Sequence, residues 1–411
     1  VPAGRNCDGA EFTGRVSREP VSSPVVSDDE GAVVRRYTRA MLFVLLLAFA
    51  AAAVATLLVI RSARMHGHIT GDFDLSGPQK MHARAVPRIG GIGIFVGFAF
   101  GVAALSSRSA SQSWLVWAML LCSLPAFAVG LWEDLTKSIS PRRRLAATVL
   151  SGALGVWLLD AIILRTDIPG LELVVSIPLG AWLVTLFMVA GVANSVNIID
   201  GMNGLASMCS SIMLSGLAYV ALQVGDPLVA GLALATVGAS LGFFLWNFPR
   251  GLVFLGDGGA YFLGFVLVEL SILLVHRNPD VSPIFPVLLC AYPIFETMFS
   301  MYRRKFVRGR AIGMPDGIHL HTLIYRRLMR WAVGSKDAEV LVRRNSMTSP
   351  YLWLLCSLSV APAVLWWDST GVLAAFIAVF VASYVSLYRS IVRFNTPRVL
   401  VVRKAKPSTR G

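Results

Sequence analysis

The chain has 411 residues, 55% of them apolar and only 15% charged, with a net charge of +14. Ordinary soluble domains carry about 25% charged residues, so the composition excludes that class and points to an all-α, polytopic helical membrane protein. The excess positive charge is read as membrane topology, and no nucleic-acid partner is expected.

Residues 1–36 are polar, rich in Ser, Pro, Gly and mixed charge, and are expected to form a disordered arm. Eleven spans follow, at roughly 41–60, 89–106, 113–132, 145–164, 173–192, 205–223, 228–246, 258–275, 282–301, 351–367 and 371–388. Each approaches the roughly 20 residues that cross the hydrocarbon core. The last two nearly touch at Trp367–Gly371, so ten is the alternative count. No signal-peptide cleavage pattern precedes the first span, which is expected to stay in the protein. Residues 37–388 then form one transmembrane catalytic domain, with a long loop at 302–350 and a basic tail at 389–411. No internal repeat is visible.

Numbering the loops by the span before them, the odd loops and the tail hold 28 of the 37 Lys and Arg. Even loops hold only Arg108, Arg165 and Arg277. The positive-inside rule puts the odd loops in the cytoplasm and the N-terminus outside, although Arg35, Arg36 and Arg39 oppose this mildly. Within 302–350, Leu320–Val333 reads as a basic amphipathic helix for the membrane surface. The tail is expected to meet anionic lipid. Cys7, Cys122, Cys209, Cys290 and Cys356 are scattered without metal or disulfide spacing and read as packing residues.

Five polar constellations interrupt the apolar pattern, all on odd loops. The first loop carries Lys80, His82, Arg84 and Pro87-Arg88 just before Gly90-Gly91. Cations beside a helix start suit phosphate, and Lys80, His82 and Arg88 are substrate-binding candidates. The third loop opens with Glu133-Asp134 and continues to Arg142-Arg143-Arg144. Paired carboxylates there can bind Mg²⁺ or take a proton, and Arg142 and Arg144 can hold phosphate. A solvated acid pair balanced by arginines is the simpler alternative.

The fifth loop, Asn194-Ser-Val-Asn-Ile-Ile-Asp-Gly-Met-Asn-Gly-Leu205, packs carboxamides, a carboxylate and glycines between two apolar runs. Asn194, Asn197 and Asp200 share one helical face at their spacing of three. Helix capping explains one or two of these residues but not all. The seventh loop places Asp257 in Gly256-Asp-Gly-Gly259, where it can bind Mg²⁺ or cap the helix that follows. The ninth loop contains Asp316-Gly-Ile-His319-Leu-His321, a pair fit for diphosphate contact or proton transfer. Glu296 reads as an ion-pair partner of Arg303-Arg304-Lys305, Glu269 as a contact within the bundle, and Asp160 and His276 as structural. Acids, amides, histidines and cations on one membrane face describe a metal-assisted phosphate site.

Over residues 78–325, these motifs and their order resemble the polyprenyl-phosphate N-acetylhexosamine-1-phosphate transferases of bacteria. The resemblance implies transfer of a HexNAc-1-phosphate, GlcNAc-1-phosphate first, from a UDP-N-acetylhexosamine to undecaprenyl phosphate, with release of UMP. It implies a bacterial inner membrane, a cytoplasmic site, and Mg²⁺ as cofactor, with Mn²⁺ as a second candidate. A homodimer is one arrangement open to such a chain. Asp257 then resembles the metal ligand, and Asp134 the residue that deprotonates or orients the lipid phosphate. Asn194, Asn197 and Asp200 resemble metal and nucleotide contacts, with Asp200 counted as catalytic too. His319 and His321 resemble diphosphate contacts.

Three positions depart from the family's usual pattern: Glu133 for a first Asp, Asn203 for a second Asp after Asp-Gly, and Thr322 for a third His. These departures bring the chain nearer the GlcNAc-1-phosphate branch than the phospho-MurNAc-pentapeptide branch, which stays as the alternative. Asn203 remains a substrate-binding candidate and the weakest member of its loop. A transporter of an anionic phosphorylated solute is the second alternative. It would want polar residues at the bilayer midplane, where Glu269 is nearly alone. A non-catalytic lipid-phosphate binder is the third.

Overall fold

Prolines set several helix starts, because a missing N–H costs nothing in the first turn. In the computed structural model, which describes residues 28–65, 86–108, 112–309, 318–328 and 337–393, helices begin at Pro141, Pro178 and Pro227. The elements are α1 (Asp28–Met65), α2 (Gly91–Ser106), α3 (Ser113–Thr136), α4 (Pro141–Leu159), α5 (Leu171–Val175), α6 (Pro178–Ile199), α7 (Leu205–Gln223) and α8 (Pro227–Asn247). Then come α9 (Gly256–Arg277), α10 (Phe285–Leu289), α11 (Ala291–Tyr302), α12 (Leu320–Leu323), α13 (Ala338–Ser346), α14 (Ser349–Leu365) and α15 (Thr370–Val392). Contacts divide the chain into two units, Val1–Ala40 and Met41–Gly411. In the first, the described residues are helical from Asp28, so the expected disordered arm gives way to helix over 28–36.

Among the described residues, eight helices are long and apolar enough to cross a membrane. The protein is a multi-pass, all-α membrane protein. Three of the expected eleven spans take other forms. α2 is apolar but short. The span expected at 145–164 is α4, which stops at Leu159 where Asp160 turns left-handed at φ 55°. The span expected at 282–301 is broken at Cys290 into α10 and α11. Pro293 explains the break, because its ring opposes the carbonyl of Leu289 and it has no N–H to offer. The expected surface helix at 320–333 is also corrected. Over its described part, 320–328, Leu320, Leu323, Ile324, Tyr325 and Leu328 are buried in the protein, leaving Arg326 exposed.

α9 sits at the centre, packed against α2, α3, α4, α6, α7 and α8. It is apolar on nearly all sides, as a helix surrounded by helices must be. Small residues let its first turn come close to its neighbours. A Cβ on Gly130 of α3 would lie 2.5 Å from Gly258 N and 2.6 Å from the carbonyl carbon of Asp257. Gly130→Ala is therefore expected to destabilise the protein by about 1–3 kcal/mol, the usual range for overpacking. Thermal unfolding in detergent checks this against Gly371→Ala, where nothing lies within 4 Å of the new atom. Glu269, deeper in α9, meets Gly155 of α4, and neither of its buried oxygens has a hydrogen-bond partner. The four described cysteines are buried and unpaired, as packing residues should be.

Candidate active site

The site begins at the N-terminus of α9. Gly256 turns left-handed at φ 75°, and a Cβ there would strike Arg88 O and lie 2.5 Å from Asp134 Oδ2. That turn needs glycine. The amides of Asp257 and Gly258 donate to Asp134 Oδ1 and Oδ2, each at 2.9 Å. Asp134 thus caps a helix more than a hundred residues away in sequence, and Asp257 is spared that task. Its carboxylate turns outward instead, where Asn197 Nδ2 donates to Oδ1 at 3.1 Å, Arg88 Nη2 stands 3.8 Å away, and Arg144 Nη1 donates to Oδ2.

Each partner is held by its own element. Arg88 lies on a stretch paired by backbone to 254–255, through Phe254 N to Pro87 O at 2.9 Å, Gly90 N to Phe254 O at 3.0 Å and Gly91 N to Leu255 O at 2.9 Å. Arg144 occupies the first turn of α4. Asn194 and Asn197 are on the last turns of α6, and Asp200 is the residue at which that helix ends. Asn194 donates to Ala190 O at 2.7 Å and accepts from Tyr261 OH at 3.3 Å. Burial lifts the Asp200 carboxyl to about 7, with Arg88 opposing and Asp257 adding to the shift.

His319 and His321 stack in parallel, ring centroids 5.3 Å apart. His319 Nδ1 is 3.0 Å from Glu296 Oε1. Burial, and then the neighbouring His319, push His321 down to about 3, so it is neutral at physiological pH. His319 and His321 line one cavity of about 870 Å³, together with Arg88, Arg144, Asn194, Asn197, Asp200 and Asp257. The same cavity reaches Leu145, Phe187 and Met298, which are 47%, 75% and 57% exposed on α4, α6 and α11. It therefore joins a charged floor to an apolar side opening.

Other expected site residues fall elsewhere. Asp134 has a side chain only 1% exposed and lies behind the cavity, with both oxygens on amides. Glu133 Oε2 accepts from Ile139 N at 2.7 Å, which closes the turn after α3. Arg142 is exposed and is not among the lining residues. Lys80, His82, Arg84 and Asp316 lie outside the described residues. Asn203 reaches the cavity edge but is tied elsewhere: its N donates to Asn345 Oδ1 at 2.8 Å and its O accepts from Ser349 Oγ at 2.6 Å. Glu296 serves His319, Leu320 N and Tyr384 rather than the basic run after α11.

Several lining residues were not among the site candidates of the sequence reading, Tyr261 and Arg304 among them. Tyr261 follows Asp257 by four residues, hence on the same helical face, and that spacing was the available signal. Arg304 donates to Ser300 Oγ at 3.0 Å on the cavity wall, a position only the fold reveals.

Residues 116–275 match the model of glycosyl transferase family 4. A Bacillus subtilis protein, a probable undecaprenyl-phosphate N-acetylglucosaminyl 1-phosphate transferase, is 28% identical over 282 residues, covering 66% of this chain and 74% of its own. A Thermotoga maritima undecaprenyl-phosphate alpha-N-acetylglucosaminyl 1-phosphate transferase is 29% identical over 262 residues, covering 63% and 74%. A Prochlorococcus marinus phospho-N-acetylmuramoyl-pentapeptide-transferase is 29% identical over 308 residues, covering 68% and 76%. Both branches of the resemblance drawn from the motifs are represented among these relatives.

Proposed function

We propose that this chain, whose residues 116–275 match the model of glycosyl transferase family 4, moves a HexNAc-1-phosphate from a UDP-sugar to undecaprenyl phosphate. GlcNAc-1-phosphate is the first choice of transferred group, in a bacterial inner membrane with the site facing the cytoplasm. One observation carries this reading: a single cavity joins Arg88, Arg144, Asp200, Asp257 and the two histidines to an apolar side opening. A water-soluble sugar nucleotide and a membrane-borne lipid phosphate need that combination. The Bacillus and Thermotoga relatives carry GlcNAc in their names. The Prochlorococcus relative supports the second reading, a phospho-MurNAc-pentapeptide donor.

The donor set fits a divalent metal. Mg²⁺ takes one or two carboxylates and completes its shell with substrate phosphates and water. Asp257 and Asp200 face one cavity, and no cluster of three metal-binding side chains occurs among the described residues. Bound there, Mg²⁺ would screen the diphosphate charge and stabilise departing UMP. Arg88 and Arg144 would offset the charge of the incoming lipid phosphate, and His319 would hold the diphosphate. In the transfer, a lipid-phosphate oxygen forms a bond to the β-phosphorus while the bond to the α-phosphate oxygen breaks. A phosphate monoester has a second pKa near 6, so at neutral pH the nucleophile needs no base. That agrees with an Asp134 committed to helix amides.

The test is UMP release from UDP-GlcNAc and undecaprenyl phosphate by purified protein in detergent. Activity is expected to vanish with EDTA and to return with Mg²⁺, and Mn²⁺ should also support it. Active-form protein that turns over no UDP-HexNAc would overturn the reading. Turnover of UDP-MurNAc-pentapeptide alone would transfer it to the second donor.

A further inference from the structure

Behind His319, between α11 and α15, lies a buried network whose acid the transfer as described leaves unused. Glu296 on α11 is fully buried. One of its oxygens, Oε1, stands 3.0 Å from His319 Nδ1 and accepts from Leu320 N at 3.2 Å. The other, Oε2, accepts from Tyr384 OH, which arrives from α15. One turn on, Tyr388 OH accepts from Arg303 Nη1 at 2.8 Å and donates to Ile318 O at 3.5 Å, on the residue just before His319. The last helix therefore braces both the carboxylate and the strand of chain that presents the histidine.

An ionised carboxylate can only accept hydrogen bonds, so a contact with it requires the proton on Nδ1 of the ring. The partner of one imidazole nitrogen decides what the other can do. His321, stacked beside it, has no such partner: its Nδ1 is buried and makes no hydrogen bond. Two neighbouring rings with the same cavity exposure are thus chemically unequal, and Glu296 makes the difference.

We propose that Glu296 is a positioning residue that holds His319 with Nδ1 protonated and Nε2 left for the substrate diphosphate, and that Tyr384 braces Glu296. The identity of that ligand rests on the transferase reading; the tautomer does not. A buried acid retained only for stability would make a different pattern, because its loss would act on the fold and not through His319.

The experiment is a double-mutant cycle on the full chain in detergent, read as kcat/KM for UMP release, with thermal unfolding alongside. Glu296→Gln is expected to lower kcat/KM about tenfold, the scale of lost outer-shell support for a histidine. Tyr384→Phe should give a smaller loss of the same sign. In a His319→Gln background, Glu296→Gln should cost nothing more. Losses that multiply, or a Glu296→Gln protein at the wild-type rate, would overturn the proposal. Nitrogen-15 spectra of histidine-labelled protein supply an arm that needs no turnover. The signal lost in His319→Gln should show a protonated Nδ1, and an unprotonated one overturns the proposal whatever the activity. A wild-type protein with that signal but no UMP release would sink the transferase reading alone.

Discussion

Asp257→Asn is expected to lower UMP release by about three orders of magnitude while leaving the protein folded. The change keeps the shape of the side chain and removes the charge that the metal and the arginines face. A metal supplies several kcal/mol of charge stabilisation, and each 1.4 kcal/mol is about a factor of ten in rate. Stability should shift by only about 1 kcal/mol, because two effects oppose each other. Arg144 loses its anion, but the repulsion between Asp257 and Asp200 is relieved. The start of α9 is untouched, since its amides are taken by Asp134 and not by Asp257. UMP release and thermal unfolding measured on one preparation separate the two quantities. A near-normal rate would remove Asp257 from the metal role.

Asp134→Ala should behave differently, losing stability and activity together. Two buried amides would be left without an acceptor at the first turn of the most enclosed helix. A buried amide left without an acceptor costs about 1–3 kcal/mol, so the two together should cost about 2–6 kcal/mol. Turnover should fall too, because one of those amides belongs to Asp257 itself. Asp134→Asn should be intermediate, since it keeps one acceptor oxygen and turns an N–H₂ toward the other amide. A base that draws a proton from the lipid phosphate predicts the opposite pattern, with the rate lost in Asp134→Asn and the melting temperature unchanged.

Much of the architecture was legible because apolar runs of span length and polar loop clusters are local signals. Leu205–Gln223 follows its run to the residue. Asn194 and Asn197 lie on the last turns of α6, and with Asp200 at its end they meet Asp257, His319 and His321 at one cavity. What stayed hidden depends on long-range contact. Asp134 and Glu133 are neighbours in sequence and alike in chemistry, yet one caps α9 and the other closes its own turn. Nothing within the loop distinguishes them. Glu296 resembled a partner for the arginines that follow it, until the fold brought His319 beside it. The region 320–328 looked amphipathic because periodicity registers an apolar stripe but not what covers it. Pro293 was visible, and its consequence for the helix through Cys290 could have been read directly.

The ties around Asn203 make residues far apart in sequence dependent on one another as the chain evolves. Its Nδ2 donates to Ser346 Oγ at 3.2 Å and to Pro249 O at 3.4 Å, while Ser349 and Asn345 take its backbone. An aspartate at 203 would set a carboxylate oxygen against the Pro249 carbonyl with no proton between them. Asn203→Asp is therefore not a neutral change in this background. It becomes tolerable only after position 346, or the turn at 249, has changed to meet it. Chimaeras that exchange the segment after Ala338 between relatives should fail or succeed according to which residue stands at 203.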